Sequence, residues 1–205
     1  MKDRIYDHLS NKFVRYNISY HPIALVDWKD ITGEPLHAHN TDIATHPITG
    51  ENINGVHISN SNNIEINVDA FLENALCYSK KRRSKQCECI VYPHNTNSDE
   101  WVLFVETKYA NSFAAAFDPR NNYPEYAINQ IKDTVHFFRC KGIIAPEKVV
   151  YAIVSFPNLC EQFSAFVFEK DETILDILQT DKIIIRATNT VHVKDEFRIE
   201  LIANS

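Results

Sequence analysis

Residues 101–108, WVLFVETK, form an apolar run that ends with a carboxylate and an amine two positions apart. The run predicts a β-strand, and because side chains alternate along a strand, Glu106 and Lys108 should share one face. This spacing is typical of metal-dependent phosphodiester chemistry. The Glu106 carboxylate and the Thr107 carbonyl can hold a divalent cation, and the Lys108 ammonium can steady an attacking water or developing charge. A structural ion pair would have the same sequence.

A second short apolar run precedes this strand. Residues 85–92, KQCECIVY, carry one acid, Glu88, near their start, and residues 93–100 between the two runs are polar. This pattern predicts an antiparallel hairpin. Pairing of its strands would bring Glu88 beside Glu106 and supply a second carboxylate.

Length and composition indicate one domain over residues 1–205. The chain has 205 residues, 44% of them hydrophobic and 11% aromatic, enough for one sizeable core. We divide it into an N-terminal cap and loop-rich region (1–63), a core (64–155) and a C-terminal helix with strands (156–205). No apolar stretch approaches the ~18 residues that span a bilayer, and the first residues lack the apolar middle of a signal peptide. We therefore expect a cytoplasmic protein without a membrane partner.

The five cysteines are an odd number, which favours reduced thiols in a chain with no export signal. Cys87 and Cys89 alternate with Glu88, so we expect both thiols to face the core and Glu88 to face the other way. The remaining cysteines are scattered singly, without the paired spacing of a structural zinc site.

The net charge of −6 is unusual for a protein that binds nucleic acid, but charge is local. Residues 80–85, KKRRSK, place five cations in six positions directly before the Glu88 strand. One interpretation is a basic rim beside an acidic site. The other is a solvated helix end, where cations favour the negative end of the helix dipole.

The remaining pattern alternates helices and strands. We expect an N-terminal helix to about Tyr16, then loops and short strands to residue 63. Asn67 or Asp69 could cap a helix that runs into the basic run, with Glu73 in its middle as a candidate third carboxylate.

After the Glu106 strand, a helix over 122–140 carries Gln130 and ends before Gly142, and residues 148–155 read as a buried central strand. We expect a short helix at 173–178 and two or three closing strands at 182–186, 191–193 and 196–202. This order predicts an α/β layer with a mixed sheet.

In arrangement, these residues resemble the PD-(D/E)XK nuclease superfamily. Glu88 corresponds to the family's first acid, residues 106–108 to its E-x-K element, and the following helix and strand to the next unit of its core. The resemblance covers residues 68–155. It implies a restriction-endonuclease-like three-layer core, with a mixed central sheet flanked by helices.

The resemblance also implies roles for individual residues. Glu88 and Glu106 would bind Mg²⁺ or Mn²⁺, Thr107 would lend its carbonyl as a ligand, and Lys108 would serve catalysis. Gln130 matches a glutamine that some nuclease members carry on this helix, and is a further candidate catalytic residue.

Two functions follow as expectations. The first is a magnesium-dependent endo- or exodeoxyribonuclease that hydrolyses DNA phosphodiester bonds in restriction, repair or phage defence, and a homodimer would help it reach both strands of a duplex. The second is a catalytically inactive nuclease-like fold that acts as a binding or assembly module with a protein partner. The acidic net charge, a glutamate in place of the usual aspartate at Glu88, and an apolar surface at Phe163, Phe166 and Phe168 favour this alternative.

A competing motif lies earlier in the chain. Residues 23–29, IALVDWK, form a second D-x-K after an apolar run, with Asp27 as the acid. We prefer Glu106 because it follows an acid-bearing hairpin partner and precedes a helix and a strand.

Overall fold

The computed structural model describes residues 1–19, 22–27, 45–49, 53–79, 82–95, 100–159, 163–168 and 174–202. In chain order its elements are α1 (Lys2–Leu9), β1 (Phe13–Ile18), β2 (Ile23–Asp27), β3 (Thr45–Thr49), β4 (Val56–Ser59), β5 (Ile66–Phe71), β6 (Cys77–Ser79), β7 (Arg82–Arg83), β8 (Cys89–Pro93), β9 (Leu103–Thr107), α2 (Phe113–Ala116), α3 (Tyr123–Cys140), β10 (Val150–Ser155), α4 (Ser164–Val167), α5 (Ile174–Asp181), β11 (Ile183–Ala187), β12 (Thr190–Val193) and β13 (Ile199–Ile202).

Two mixed sheets organise the chain. The main sheet has six strands in the order β1-β5-β8-β9-β10-β11; its first four strands pair antiparallel, and β9, β10 and β11 pair parallel. The second sheet has five strands in the order β13-β12-β4-β2-β3, and β6 pairs separately with β7. Both ends of the chain contribute to each of the two large sheets.

The main sheet is the middle layer of three, because its two faces bury different cores. Val102 and Phe104 belong to a core shared with the helices, which we call the helix-side core. Leu103 and Val105 belong to a second core shared with the five-stranded sheet, which we call the sheet-side core. Strand β9 is therefore buried on both faces, which explains its nearly continuous apolar sequence.

Helix α3 is the main cover of the helix-side core, and its ends follow from local sequence. Pro124 lies in the first turn, where its missing N–H costs no helical hydrogen bond. Gly142 has a φ of 65°, and Ile143 N donates to Phe138 O at 2.9 Å across it. Glycine adopts this left-handed conformation without steric cost, so the helix ends at this point.

The α/β fold class and several elements are confirmed. Strands β8 and β9 form the expected antiparallel pair, α3 begins within a residue of the expected start, and β10 is a buried central strand. The late helix and the three closing strands are also present. No described helix is long and apolar enough to cross a membrane.

Two helix predictions are wrong. The N-terminal helix ends at Leu9, and residues from Phe13 form strand β1. In place of the helix expected from Asn67 or Asp69, the chain forms β5, which pairs with both β1 and β8. Alternate residues of β5 enter the sheet-side core, and this period of two overrides the helical spacing that the sequence also permits.

The layers also differ from the expected arrangement in one respect. Helices cover one face of the main sheet, whereas the second sheet covers the other. The basic run is not a helix end in its described part, because residues 82–83 form β7 and residue 84 follows it outside any helix. Residues 80 and 81 lie outside the described residues.

A buried ion pair ties the edge strand β1 to the sheet. The Asp69 carboxylate is fully buried and accepts hydrogen bonds from Arg15 Nε at 2.7 Å and Nη2 at 2.8 Å. Tyr92 Oη donates to the same carboxylate at 2.8 Å. Bidentate geometry and a third donor satisfy a charge that would otherwise be costly to bury.

We predict that Asp69→Asn lowers the free energy of unfolding by about 2 to 3 kcal/mol, because it leaves the Arg15 guanidinium without its counter-charge. Urea unfolding followed by circular dichroism measures this change. Asp118→Asn is the matched control, since Asp118 pairs with Arg120 at the exposed surface and its loss should leave the urea midpoint unchanged. Equal effects of the two variants would contradict the prediction.

Candidate functional site

The candidate site forms where β8 begins and β9 ends. Cys89 and Val105 are the last pair of the antiparallel ladder, and Glu88 and Glu106 are the next residues along the two chains. Glu88 N donates to Val105 O at 3.1 Å, so Glu88 still contacts β9 but lies opposite Val105, outside the regular register. The hairpin therefore brings the two acids to adjacent positions on neighbouring strands.

On the helix side, Glu106 contacts Lys108 and, through it, α3. Lys108 Nζ donates to Glu106 Oε1 and to Gln130 Oε1, the latter at 3.0 Å. The Glu106 side chain is fully buried, and 21% of the Lys108 side chain is exposed. Alternation along β9 thus places the acid and the amine on one face, as the sequence predicts.

On the opposite face, Thr107 contacts Glu88. The Thr107 hydroxyl donates to Glu88 Oε2. Cys87 belongs to the helix-side core and Cys89 to the sheet-side core, so the two thiols do not face the same way. That expectation is wrong because strict alternation breaks at Glu88, which lies in a bend immediately before β8.

Helix α3 also holds the backbone that leads into Glu88. Gln130 Nε2 donates to Gln86 O at 2.8 Å, and Cys87 N donates to Thr134 Oγ1 at 2.8 Å. The Thr134 hydroxyl in turn donates to Gln130 O at 2.7 Å. Gln130 and Thr134 are one helical turn apart, so one face of α3 positions both Lys108 and the start of β8.

Burial dominates the electrostatics of the two acids. It raises the pKa of Glu106 to about 7, although the Lys108 ammonium, the Glu88 backbone N–H and Gln130 oppose the shift. Burial and repulsion from Glu106 raise the pKa of Glu88 well above its ordinary value. Partial burial works against protonation of Lys108, but the Glu106 carboxylate outweighs it and raises the pKa of this amine.

One carboxylate oxygen of the site lacks a hydrogen-bond partner. Glu106 Oε2 is buried and has no hydrogen-bond partner, so this oxygen is available to a cation. No three His, Cys, Asp or Glu side chains of the described residues form a cage around one point. Magnesium is commonly held by one or two carboxylates, with water and substrate phosphate completing its shell, so Glu88 and Glu106 fit such an ion.

The structure brings together Glu88, Glu106, Thr107, Lys108 and Gln130. Their proposed roles, including the Thr107 carbonyl as a ligand, stay predictions.

Glu73 is placed differently. It is exposed in the turn after β5, where it accepts a hydrogen bond from Asn74 Nδ2 at 3.1 Å. Residues 66–71 form strand β5 in place of the predicted helix, so Glu73 is not on a helix that faces the site.

Sequence analysis did not identify two of the positioning residues, Gln86 and Thr134. Gln86 accepts at its backbone carbonyl. Every residue has this group, so no sequence signal distinguishes Gln86. Thr134 could have been found, because it follows Gln130 by four positions and lies on the same face of the predicted helix.

Comparisons with protein-family models, curated proteins and solved structures find no match.

We predict that the pKa of Glu106 makes folding pH-dependent. The folded chain keeps the Glu106 proton up to about pH 7, whereas the unfolded chain releases it near its ordinary 4.5. The resulting stability is fully present below pH 4.5 and is lost as the pH rises through 7. Glu106→Gln, which keeps the shape, should remove a decline of about 3 kcal/mol between pH 5 and pH 8.

Urea unfolding of the wild type and of Glu106→Gln at pH 5, 6, 7 and 8, without divalent ions, measures this difference. Parallel pH profiles for the two proteins would contradict it. Glu147→Gln, at an exposed acid, is the control and should follow the wild type.

Proposed function

We propose that this protein is a metal-dependent nuclease that hydrolyses DNA phosphodiester bonds at the Glu88–Glu106–Lys108 site. The observation that carries the proposal is the buried Glu106 carboxylate, which has one oxygen on Lys108 and the other without a partner. A second carboxylate, Glu88, follows in the site, and burial together with repulsion from Glu106 raises its pKa. Burial of two acids with one amine is costly unless a cation joins them.

The topology around the site supports a restriction-endonuclease-like arrangement. The antiparallel strands β5, β8 and β9 are followed by α3 and by β10, which pairs parallel to β9. This order matches the helix and strand that follow the E-x-K element in the family that the sequence resembles. The second sheet against the other face is an addition of this chain.

Each site residue has a defined task under this proposal. Glu88 and Glu106 would hold Mg²⁺ or Mn²⁺, which supplies charge neutralisation at the phosphate and an acidified water when bound. Lys108 is oriented by Glu106 and Gln130, so its ammonium points at a fixed place next to the carboxylates. Gln130 and Thr134 act as positioning residues for Lys108 and for the backbone before Glu88.

A cationic and aromatic surface adjoins the site and suits a polyanionic substrate. Lys85 is exposed three residues before Glu88, and its ammonium lies 5.3 Å from the centre of the Tyr126 ring. Tyr126 is 50% exposed and lies one turn of α3 before Gln130. Lys85 can therefore meet a phosphate close to the two carboxylates while the net charge of the chain stays negative.

We predict that Glu106→Gln and Lys108→Met each lower Mg²⁺-dependent cleavage at least 100-fold, because each removes a group that acts on the reacting phosphate. Plasmid DNA and a single-stranded oligonucleotide, each with Mg²⁺ and with Mn²⁺, serve as substrates. Glu147→Gln should cleave like the wild type. Urea unfolding of each variant separates lost chemistry from lost folding, and undiminished cleavage by both site variants would refute the proposal.

We also predict that Lys85→Gln weakens DNA binding through one phosphate contact. The slope of log binding constant against log salt concentration should become shallower by about 1. Fluorescence anisotropy with a labelled oligonucleotide, in a Glu106→Gln background that prevents cleavage, measures the slope. Lys194→Gln, at a lysine paired with Glu200 on the second sheet, should leave the slope unchanged, and equal slopes for all three proteins would contradict a role for Lys85.

A binding or assembly module is the second candidate, and one cavity favours it. A cavity of about 480 Å³ lies between α2, the start of α3 and α4, with Phe117, Phe166 and Phe168 in its lining. Phe166 is 40% exposed, whereas Phe163 is fully buried and contributes nothing to a surface. Absence of cleavage in the wild type with either metal would favour this function over the nuclease.

A further inference from the structure

A row of polar side chains crosses the main sheet where β8 ends, whereas the candidate site lies where β8 begins. Asn17 on β1 pairs with Asn67 on β5, and Asn67 pairs with Tyr92 on β8. His94 follows β8 and Glu65 precedes β5, and His94 N donates to Glu65 O at 2.8 Å. Positions two apart on a strand share a face. One face of the sheet therefore carries a group that we call the edge cluster: Asn17, Glu65, Asn67 and His94.

Three oxygen atoms of the edge cluster converge on one nitrogen of His94. Nδ1 of this ring lies 2.9 Å from Asn17 Oδ1, 3.3 Å from Asn67 Oδ1 and 3.6 Å from Glu65 Oε1. All three oxygens are hydrogen-bond acceptors, and an imidazole nitrogen carries at most one hydrogen. The three acceptors around Nδ1 therefore exceed what one imidazole hydrogen can satisfy.

Burial makes this surplus of acceptors costly at Asn67. The residue is fully buried, and its Nδ2 donates to Pro93 O at 3.5 Å, which leaves Oδ1 facing His94. A buried oxygen that lacks a strong donor raises the free energy of the folded state. Two positions along β5, the buried Asp69 carboxylate instead accepts two hydrogen bonds from Arg15. The edge cluster has no such cationic side chain at His94 Nδ1 among the contacts of the described residues, so an added cation would match its oxygens.

The distances within the edge cluster fit the coordination shell of a divalent metal ion. Ligand atoms about 2.1 Å from an ion lie roughly 3.0 Å apart in octahedral geometry and roughly 3.4 Å apart in tetrahedral geometry. The three distances from His94 Nδ1 range from 2.9 to 3.6 Å. These four atoms can therefore share one ion with little movement of their side chains.

The ligand types of the edge cluster favour a transition-metal ion. Imidazole nitrogen and carboxylate oxygen are both ordinary zinc ligands, and carboxamide oxygens or water can complete the shell. Two of the four side chains are carboxamides, which agrees with the lack of a group of three His, Cys, Asp or Glu side chains in the part of the chain that the structure describes. One imidazole and one carboxylate are enough to favour a divalent ion over a monovalent one.

We propose that the edge cluster binds a divalent transition-metal ion such as Zn²⁺, through Nδ1 of His94 and the three oxygens that face it. The ion joins the edge strand β1 to β5 and β8, so it stabilises the folded chain. His94 and Glu88 are six positions apart along β8, which is about 20 Å on an extended strand. The ion is therefore separate from the candidate site, and the inference does not depend on the proposed function.

Calorimetric titration of Zn²⁺ into the full chain at pH 7 tests the proposal. We expect the wild type to bind one more ion per chain than His94→Gln, which lacks the ring nitrogen. Glu65→Gln removes the charged ligand and should weaken the same ion by at least about tenfold, because even a residue that only supports a ligand has an effect of this size. Asn17→Asp adds a charged ligand and should tighten the binding of this ion.

His8→Gln, at an exposed histidine in the last turn of α1, is the matched control and should bind Zn²⁺ like the wild type. The candidate site is intact in every variant, so ions bound there cancel from the comparison. Urea unfolding without Zn²⁺ shows that each variant is folded, and Zn²⁺ should raise the urea midpoint of the wild type more than that of His94→Gln. Equal numbers of ions, bound with equal affinity, in the wild type, His94→Gln and Glu65→Gln would overturn the inference. A wild type that binds no Zn²⁺ would also overturn it, and neither result would change the test of the nuclease site by cleavage.

Discussion

The central constraint on this structure is the burial of the Glu106 carboxylate at the end of a strand that is covered on both faces. Burial raises the pKa of this acid to about 7, so its charge must be met by neighbours. The Lys108 ammonium donates to one oxygen of Glu106 and also to the side-chain oxygen of Gln130 on α3. The same helix binds the backbone before Glu88, so the acid pair, the amine and the covering helix form one connected unit.

The second sheet adds packing and hydrogen bonds that the main sheet and α3 do not provide. It covers the face of the main sheet opposite the helices. Its strand β2 ends at Asp27, whose backbone N–H donates to Tyr109 Oη. Tyr109 Oη accepts from Asp27 N at the end of β2 and donates to Asn54 O, so this side chain links the second sheet to the segment that follows β9.

The proposed function requires a metal shell that the protein completes only in part. Glu88 and Glu106 without a complete cage would suit an ion whose remaining ligands are water and phosphate oxygens. Lys85 is exposed three residues before Glu88 and lies over the Tyr126 ring, so it offers a positive charge on a chain whose net charge is negative. A phosphate at this surface interacts with the local positive charge rather than with the net charge of the chain.

Sequence by itself determined the hairpin, the two acids on adjacent strands, the shared face of Glu106 and Lys108, and the helix that carries Gln130. These follow from alternation, turn residues and helix ends, which are local properties. Two features depend on tertiary contacts instead: residues 66–71 form a strand, and the end of β2 lies against Tyr109. The reason is physical: β5 is stabilised by pairing with β1 and β8, and Asp27 is held by Tyr109, 82 positions away. Contacts between residues so far apart in the chain produce no periodic pattern of apolar and polar residues in the sequence.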